Sequence, residues 1–84
     1  MPKTTQRQSY KFMSLSQRRN QVLKMIRKYR SRGAACFEVA EALGWPMHSV
    51  SGRMTELKQM GMLRPTTRVL NPASGVFSQR WSGV

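Results

Sequence analysis

The sequence predicts an α+β fold, three helices followed by a C-terminal β-hairpin, with a short strand or extended lead-in before the second helix. Three observations carry this. Apolar residues recur at spacings of three, four and seven from Leu15 to Leu57, the period of helices with one buried face. After Gly61 the period changes to the alternation of strands. The run Asn71-Pro72-Ala73-Ser74-Gly75 then divides that alternating stretch in two, as a tight turn would.

Residues 1–14 are polar, weakly periodic and basic, and read as a flexible tail ahead of a single domain over 15–84. Tyr10, Phe12 and Met13 are the apolar exception and would dock the end of the tail on the domain. The first helix is expected over Ser16–Arg32, with Leu15, Val22, Leu23, Ile26 and Tyr29 along one stripe. Ser14 and Gln17 stand at capping-box spacing, and Gly33 is a natural stop. Ala34–Cys36 is too short for a helix. Phe37–Leu43 reads as a short second helix with Val39, Ala40 and Leu43 inward. Gly44-Trp45-Pro46 breaks it, glycine suiting a left-handed end and proline the start of the next helix. The third helix runs from about Met47 to Met60 on the buried positions Val50, Met54 and Leu57. Met62–Leu70 and Val76–Trp81 are the hairpin strands, Pro65 placing an irregularity in the first. Trp45, Phe77, Trp81 and Phe37 are expected in or beside the core, and Cys36 as a small buried apolar residue.

Fifteen Lys and Arg against three acidic residues give the 84-residue chain a formal charge of +12. Ten of the cations, and no acid, lie in residues 1–32. Such a balance points to a polyanionic partner. The acids are Glu38, Glu41 and Glu56, with no Asp, so carboxylate dyads, hard-metal cages and Ser-His-Asp triads lack their raw material. Cys36 and His48 supply only two of the roughly four ligands a zinc site needs. No catalytic residue, metal or cofactor is therefore expected. A lone cysteine fits a reducing compartment, and no transmembrane-length or signal-like apolar run is present. The expected location is the cytoplasm, associated with the nucleoid, with no membrane partner.

The element order, together with Glu38-Val39-Ala40, Gly44 and Val50, resembles the winged helix-turn-helix family over roughly residues 15–82. The stretch FEVAEALGWPMHSVSGRMTELKQMGML is similar to small bacteriophage and prophage proteins of that kind. One departure is Ala35, where the family commonly carries a Ser or Thr cap three residues before the Glu. That loss costs about 0.5–2 kcal/mol. The resemblance implies double-stranded DNA as partner, with the third helix in the major groove and the hairpin as a wing. With Val50, Met54, Leu57 and Gly61 buried, the outward surface of that helix carries His48, Ser49, Gly52, Thr55 and Gln59, flanked by Ser51 and Arg53. Arg53 is the leading base reader, because its fork matches O6 and N7 of guanine. His48, Ser49 and Ser51 suit phosphates or base edges near the helix start, and Lys58 suits a phosphate. Gly52 is explained by close approach of DNA or by tight packing against another element. Arg68 and Arg80 of the wing, and Arg18, Arg19 and Arg27 of the first helix, would hold the backbone.

The function expected is that of a phage-type transcriptional regulator binding a specific duplex site, with a homodimer on paired half-sites left open. Two alternatives stand beside it. One is an interaction module for an acidic host or phage protein, steered by the basic first helix. The other is a DNA-binding accessory of replication or packaging. Aromatics interleaved with arginines would also allow stacking on single-stranded bases.

Overall fold

In the computed structural model, which describes residues 12–84, the first helix α1 spans Leu15–Lys28 and begins as its sequence spacing predicts. The Ser14 hydroxyl accepts the Gln17 N–H at 3.2 Å, and the Gln17 side chain accepts the Ser14 N–H at 2.9 Å. Val22, Leu23 and Ile26 are buried and Tyr29 packs against them. Leu15, expected on the same stripe, is 53% exposed because the core does not extend beneath the first helical turn. Of the tail residues expected to dock, Met13 packs on the core, Phe12 is exposed, and Tyr10 lies outside the described residues.

The helix ends four residues earlier than its composition predicts. Tyr29 caps it, and Arg30–Arg32 form a 3-10 turn opened by Arg30 at φ 55°. Left-handed backbone at a residue with a Cβ breaks the helical hydrogen-bond ladder, and no period of apolar residues reports it. Gly33 follows at φ 75°, where a Cβ would lie 2.6 Å from the Trp81 carbonyl oxygen and 2.8 Å from the Thr66 hydroxyl. Only glycine lets the chain press so closely on the hairpin. The next residue, Ala34, exchanges two backbone hydrogen bonds with Trp81 at 2.9 and 3.0 Å. The expected short strand is thus a single bridging residue.

Helix α2 (Cys36–Leu43) buries Val39, Ala40 and Leu43 and ends on Gly44 at φ 72°. Trp45 folds back into the core, its N–H donating to the Ala40 carbonyl at 3.0 Å. Pro46 then leads into α3 (Met47–Gln59), which buries Val50, Met54 and Leu57 against α1 and α2. Strands β1 (Leu63–Asn71) and β2 (Val76–Gly83) pair antiparallel, and the register shifts between Pro65 and Arg68, at the irregularity Pro65 signals. The Asn71 side chain accepts the Ala73 N–H at 3.0 Å and its carbonyl accepts the Gly75 N–H at 2.8 Å, closing the turn.

The result is an α+β fold of three helices followed by a two-stranded antiparallel hairpin, the topology that the winged helix-turn-helix resemblance implies. β2 lies between β1 and the Ala34 bridge, so the hairpin is fastened to the helical layer along its inner edge. Leu63 and Trp81 close the core from the sheet side. Phe77, expected with Trp81, is 64% exposed, because the hairpin continues past the helices and leaves its outer half, with Leu70 and Val76, without a layer beneath it.

Replacing Gly33 by Ala tests the fastening. The variant should lose more than about 2 kcal/mol, since it combines a disfavoured φ with a backbone clash. Urea unfolding followed by circular dichroism measures it. A midpoint equal to wild type would mean that the close approach to Trp81 contributes nothing.

Candidate nucleic-acid interface

Helix α3 is held by its buried stripe and turns the opposite surface outward. His48, Ser51, Thr55 and Gln59 are exposed there, with Gly52 between them. Thr55 donates its hydroxyl to the Ser51 carbonyl at 3.0 Å, which leaves the oxygen facing solvent as an acceptor. A Cβ on Gly52 would meet nothing within 4 Å. Packing against another of the described elements therefore does not explain this glycine. Ser49 departs from the helical projection. It is only 6% exposed, because it sits at the edge of the buried stripe in the first turn, where its N–H meets the Pro46 carbonyl at 3.0 Å. Its hydroxyl does not belong to the outward surface.

The arginines singled out in the sequence divide into two groups. Arg53 is engaged by the Glu56 carboxylate at 2.8 Å from Nε and 3.1 Å from Nη2, and its side chain is 15% exposed. Arg19 reaches the same carboxylate from α1 at 3.2 Å, so Glu56 joins the first and third helices. Arg80 donates through Nε and Nη2 to Glu38 at 3.0 and 3.2 Å, facing the body rather than the outside of the wing. Arg68 and Arg27 are exposed, the latter with its aliphatic stem against Gly83, and Arg18 is half-buried. Lys58 does not extend away from the protein. Its ammonium lies 4.8 Å from the centre of the Trp81 ring, a cation–π contact that also keeps this indole at the core edge.

Glu38 was named in the sequence as part of the family pattern, and the structure adds three further partners. Its carboxylate accepts the Ala35 N–H at 3.0 Å, replacing half of the capping box that Ala35 cannot complete. Arg32 bonds it at 2.6 Å, alongside the two Arg80 contacts. Four donors fill the roughly four acceptor positions a carboxylate has. The helix-cap spacing is local, as is the Arg32 contact six residues away, whereas Arg80, 42 residues on, meets Glu38 only once the hairpin has docked. Burial pushes the Glu38 carboxyl pKa up, but the Arg80 and Ala35 hydrogen bonds and the Arg32 and Arg80 charges outweigh it and hold the pKa below the ordinary value. Glu56 is also held low, chiefly by the Arg53 hydrogen bonds, which outweigh desolvation and are joined by the Arg19 hydrogen bond and the charges of both arginines. The half-buried Cys36 thiol is raised by desolvation and lowered in part by Lys58.

Among the described residues no group of three metal-ligating side chains converges, and no helix is long and apolar enough to cross a membrane. No family model, curated protein or solved structure matches the chain.

The depressed carboxylates set the pH response. Their stabilisation is complete above the unfolded glutamate value of about 4.3 and is lost as pH falls through the lower folded values. Wild-type stability should hold from pH 7 to about 5 and decline below about 4. Glu38→Gln should lower stability at pH 7 by about 1–3 kcal/mol and flatten the decline in acid. Urea midpoints across that pH range measure both. A variant that tracks wild type at every pH would show the cluster to be inert.

Proposed function

We propose that the chain is a winged helix-turn-helix protein that binds a specific site in double-stranded DNA, acting as a transcriptional regulator of the phage or prophage type and without catalysis. The observation that carries this reading is Gly52, a glycine in open space at the centre of an exposed helix face. In the free protein alanine would be the better residue there by about 1 kcal/mol. A bare backbone flanked by His48, Ser51, Thr55 and Gln59 is instead suited to close contact with base edges in a major groove. The net charge of +12 supplies the general attraction to phosphate.

Base recognition in this reading falls to the small polar side chains around Gly52. The Nε and Nη2 donors of Arg53 are occupied by Glu56, so its first task is to orient α3 on α1. Arg68, exposed on the wing, rests on the backbone beside the groove, whereas Arg80 holds the wing at its angle through Glu38. The site is cytoplasmic DNA, and pairing of two copies on half-sites would extend the sequence read.

Gly52→Ala separates stability from recognition. The variant should unfold at higher urea concentration, gaining roughly 0.5–1 kcal/mol, and yet bind a selected duplex about tenfold more weakly. Selection of bound sequences from random duplexes, followed by fluorescence anisotropy on the winner, provides the measurement. Failure of wild type to bind any duplex at moderate salt would end the proposal. Binding by Gly52→Ala equal to wild type would remove this face from it. Arg68→Ala should leave the selected sequence unchanged while reducing the slope of log affinity against log salt by about one.

A further inference from the structure

Five cations outside the carboxylate pairs lie away from α3. No salt bridge among the described residues engages Lys24, Arg27, Lys28, Arg30 or Arg64, and all five are exposed. The segments that carry them adjoin. Lys24 and Lys28 stand one turn apart on α1, on the side opposite the buried Val22, Leu23 and Ile26. The stem of Arg27 lies against Gly83 at the end of β2. Arg64 is the strand partner of Ser82, whose hydroxyl bonds the Arg30 carbonyl at 2.9 Å. The surface therefore runs from the C-terminal half of α1, across the 3-10 turn, to the first residues of β1.

Interaction with the negative end of the α1 dipole accounts for Arg27 and Lys28 in the last turn. It does not account for Lys24, Arg64 or, above all, Arg30. Arg30 has φ 55°, a conformation in which glycine would be unstrained. Here a strained position carries a cation, just as an unstrained helix position in α3 carries a glycine. Both substitutions run against local stability, and they lie on different faces. α1 and α3 pack on each other through their buried stripes, so the Lys24 side of α1 and the Gly52 side of α3 turn away from a shared core.

We infer that the Lys24–Arg30–Arg64 surface binds a second segment of duplex DNA, so that one protein molecule bridges two duplexes. The inference rests on the duplex-binding reading of α3. Charge complementarity chooses the occupant: the surface has no acid on it and presents cations along a length of helix, turn and strand, as a phosphate backbone requires. Seated on α3, a straight duplex leaves these cations facing outward, where a second duplex can reach them.

A capture assay tests this with the full chain. A duplex carrying the selected site is immobilised, protein is added, and retention of a labelled second duplex is counted. Wild type should retain it, with steep loss as salt rises. The triple variant Lys24→Gln, Lys28→Gln, Arg30→Gly should bind a single duplex carrying the site within a few-fold of wild type but capture about tenfold less of the second. Circular dichroism confirms its fold, and sedimentation of the free proteins establishes that bridging does not come from protein pairing. Binding of one duplex by wild type without capture of a second would overturn the bridge and leave the α3 reading intact. Undiminished capture by the variant, or capture that follows protein dimerisation, would also overturn it. So would retention of phosphatidylserine vesicles in place of the second duplex. Absence of all duplex binding would overturn the α3 reading and the bridge together.

Discussion

The Glu38 carboxylate is the constraint on which the arrangement of the molecule depends. It closes the start of α2 through the Ala35 N–H, fixes the 3-10 turn through Arg32, and anchors β2 through Arg80. The 3-10 turn, the start of α2 and the distant strand β2 thereby share one charged centre whose acceptor positions are filled. The chain has only three carboxylates among fifteen cations, so each placement matters more than in a balanced protein. Glu56 repeats the device between α1 and α3 with Arg19 and Arg53. In both cases the acid draws two arginines onto the body and makes them structural. Outside these two clusters Lys24, Arg27, Lys28, Arg30, Arg64 and Arg68 are exposed and make no salt bridge among the described residues.

This sorting explains which parts of the molecule were legible in the sequence. The helical stripes apart from their ends at Leu15 and Gly61, which are exposed, the Ser14–Gln17 cap, the Gly44-Trp45-Pro46 break and the hairpin turn are local, and each appears where spacing predicts it. What was illegible depends on long-range docking. Arg80 looked like a wing cation because Glu38, 42 residues away, is not its neighbour in sequence. Phe77 looked like core because alternation says which face of a strand a residue takes, not whether another layer lies beneath it. Ser49 falls at the border of a helical stripe, where a projection of 100° per residue does not decide between inside and outside. The Arg53–Glu56 pair was readable from its spacing of three, but the Arg19 contribution from α1 was not.

Two residues stand against local preference. Gly52 lowers helix propensity on an open face, and Arg30 holds a left-handed backbone with a long cationic side chain. Gly33 is different, because the Trp81 carbonyl demands it. Positions where local and global requirements disagree are where function is most expected. The two here lie on separate faces, one small and polar, one cationic. In the proposed function, reading and gripping fall to different surfaces, and the excess charge of residues 1–32 would contribute attraction rather than sequence choice.

The central claim is that the outward face of α3 contacts the bases. Titration of isotope-labelled protein with its selected duplex, followed through backbone amide resonances, tests it most directly. The account predicts the largest shifts at His48, Ser51, Gly52, Thr55 and Gln59, smaller shifts at Arg68, and little change at Phe37 and Glu41 on α2. Shifts concentrated on α2, with the Gly52 amide unmoved at saturation, would contradict it.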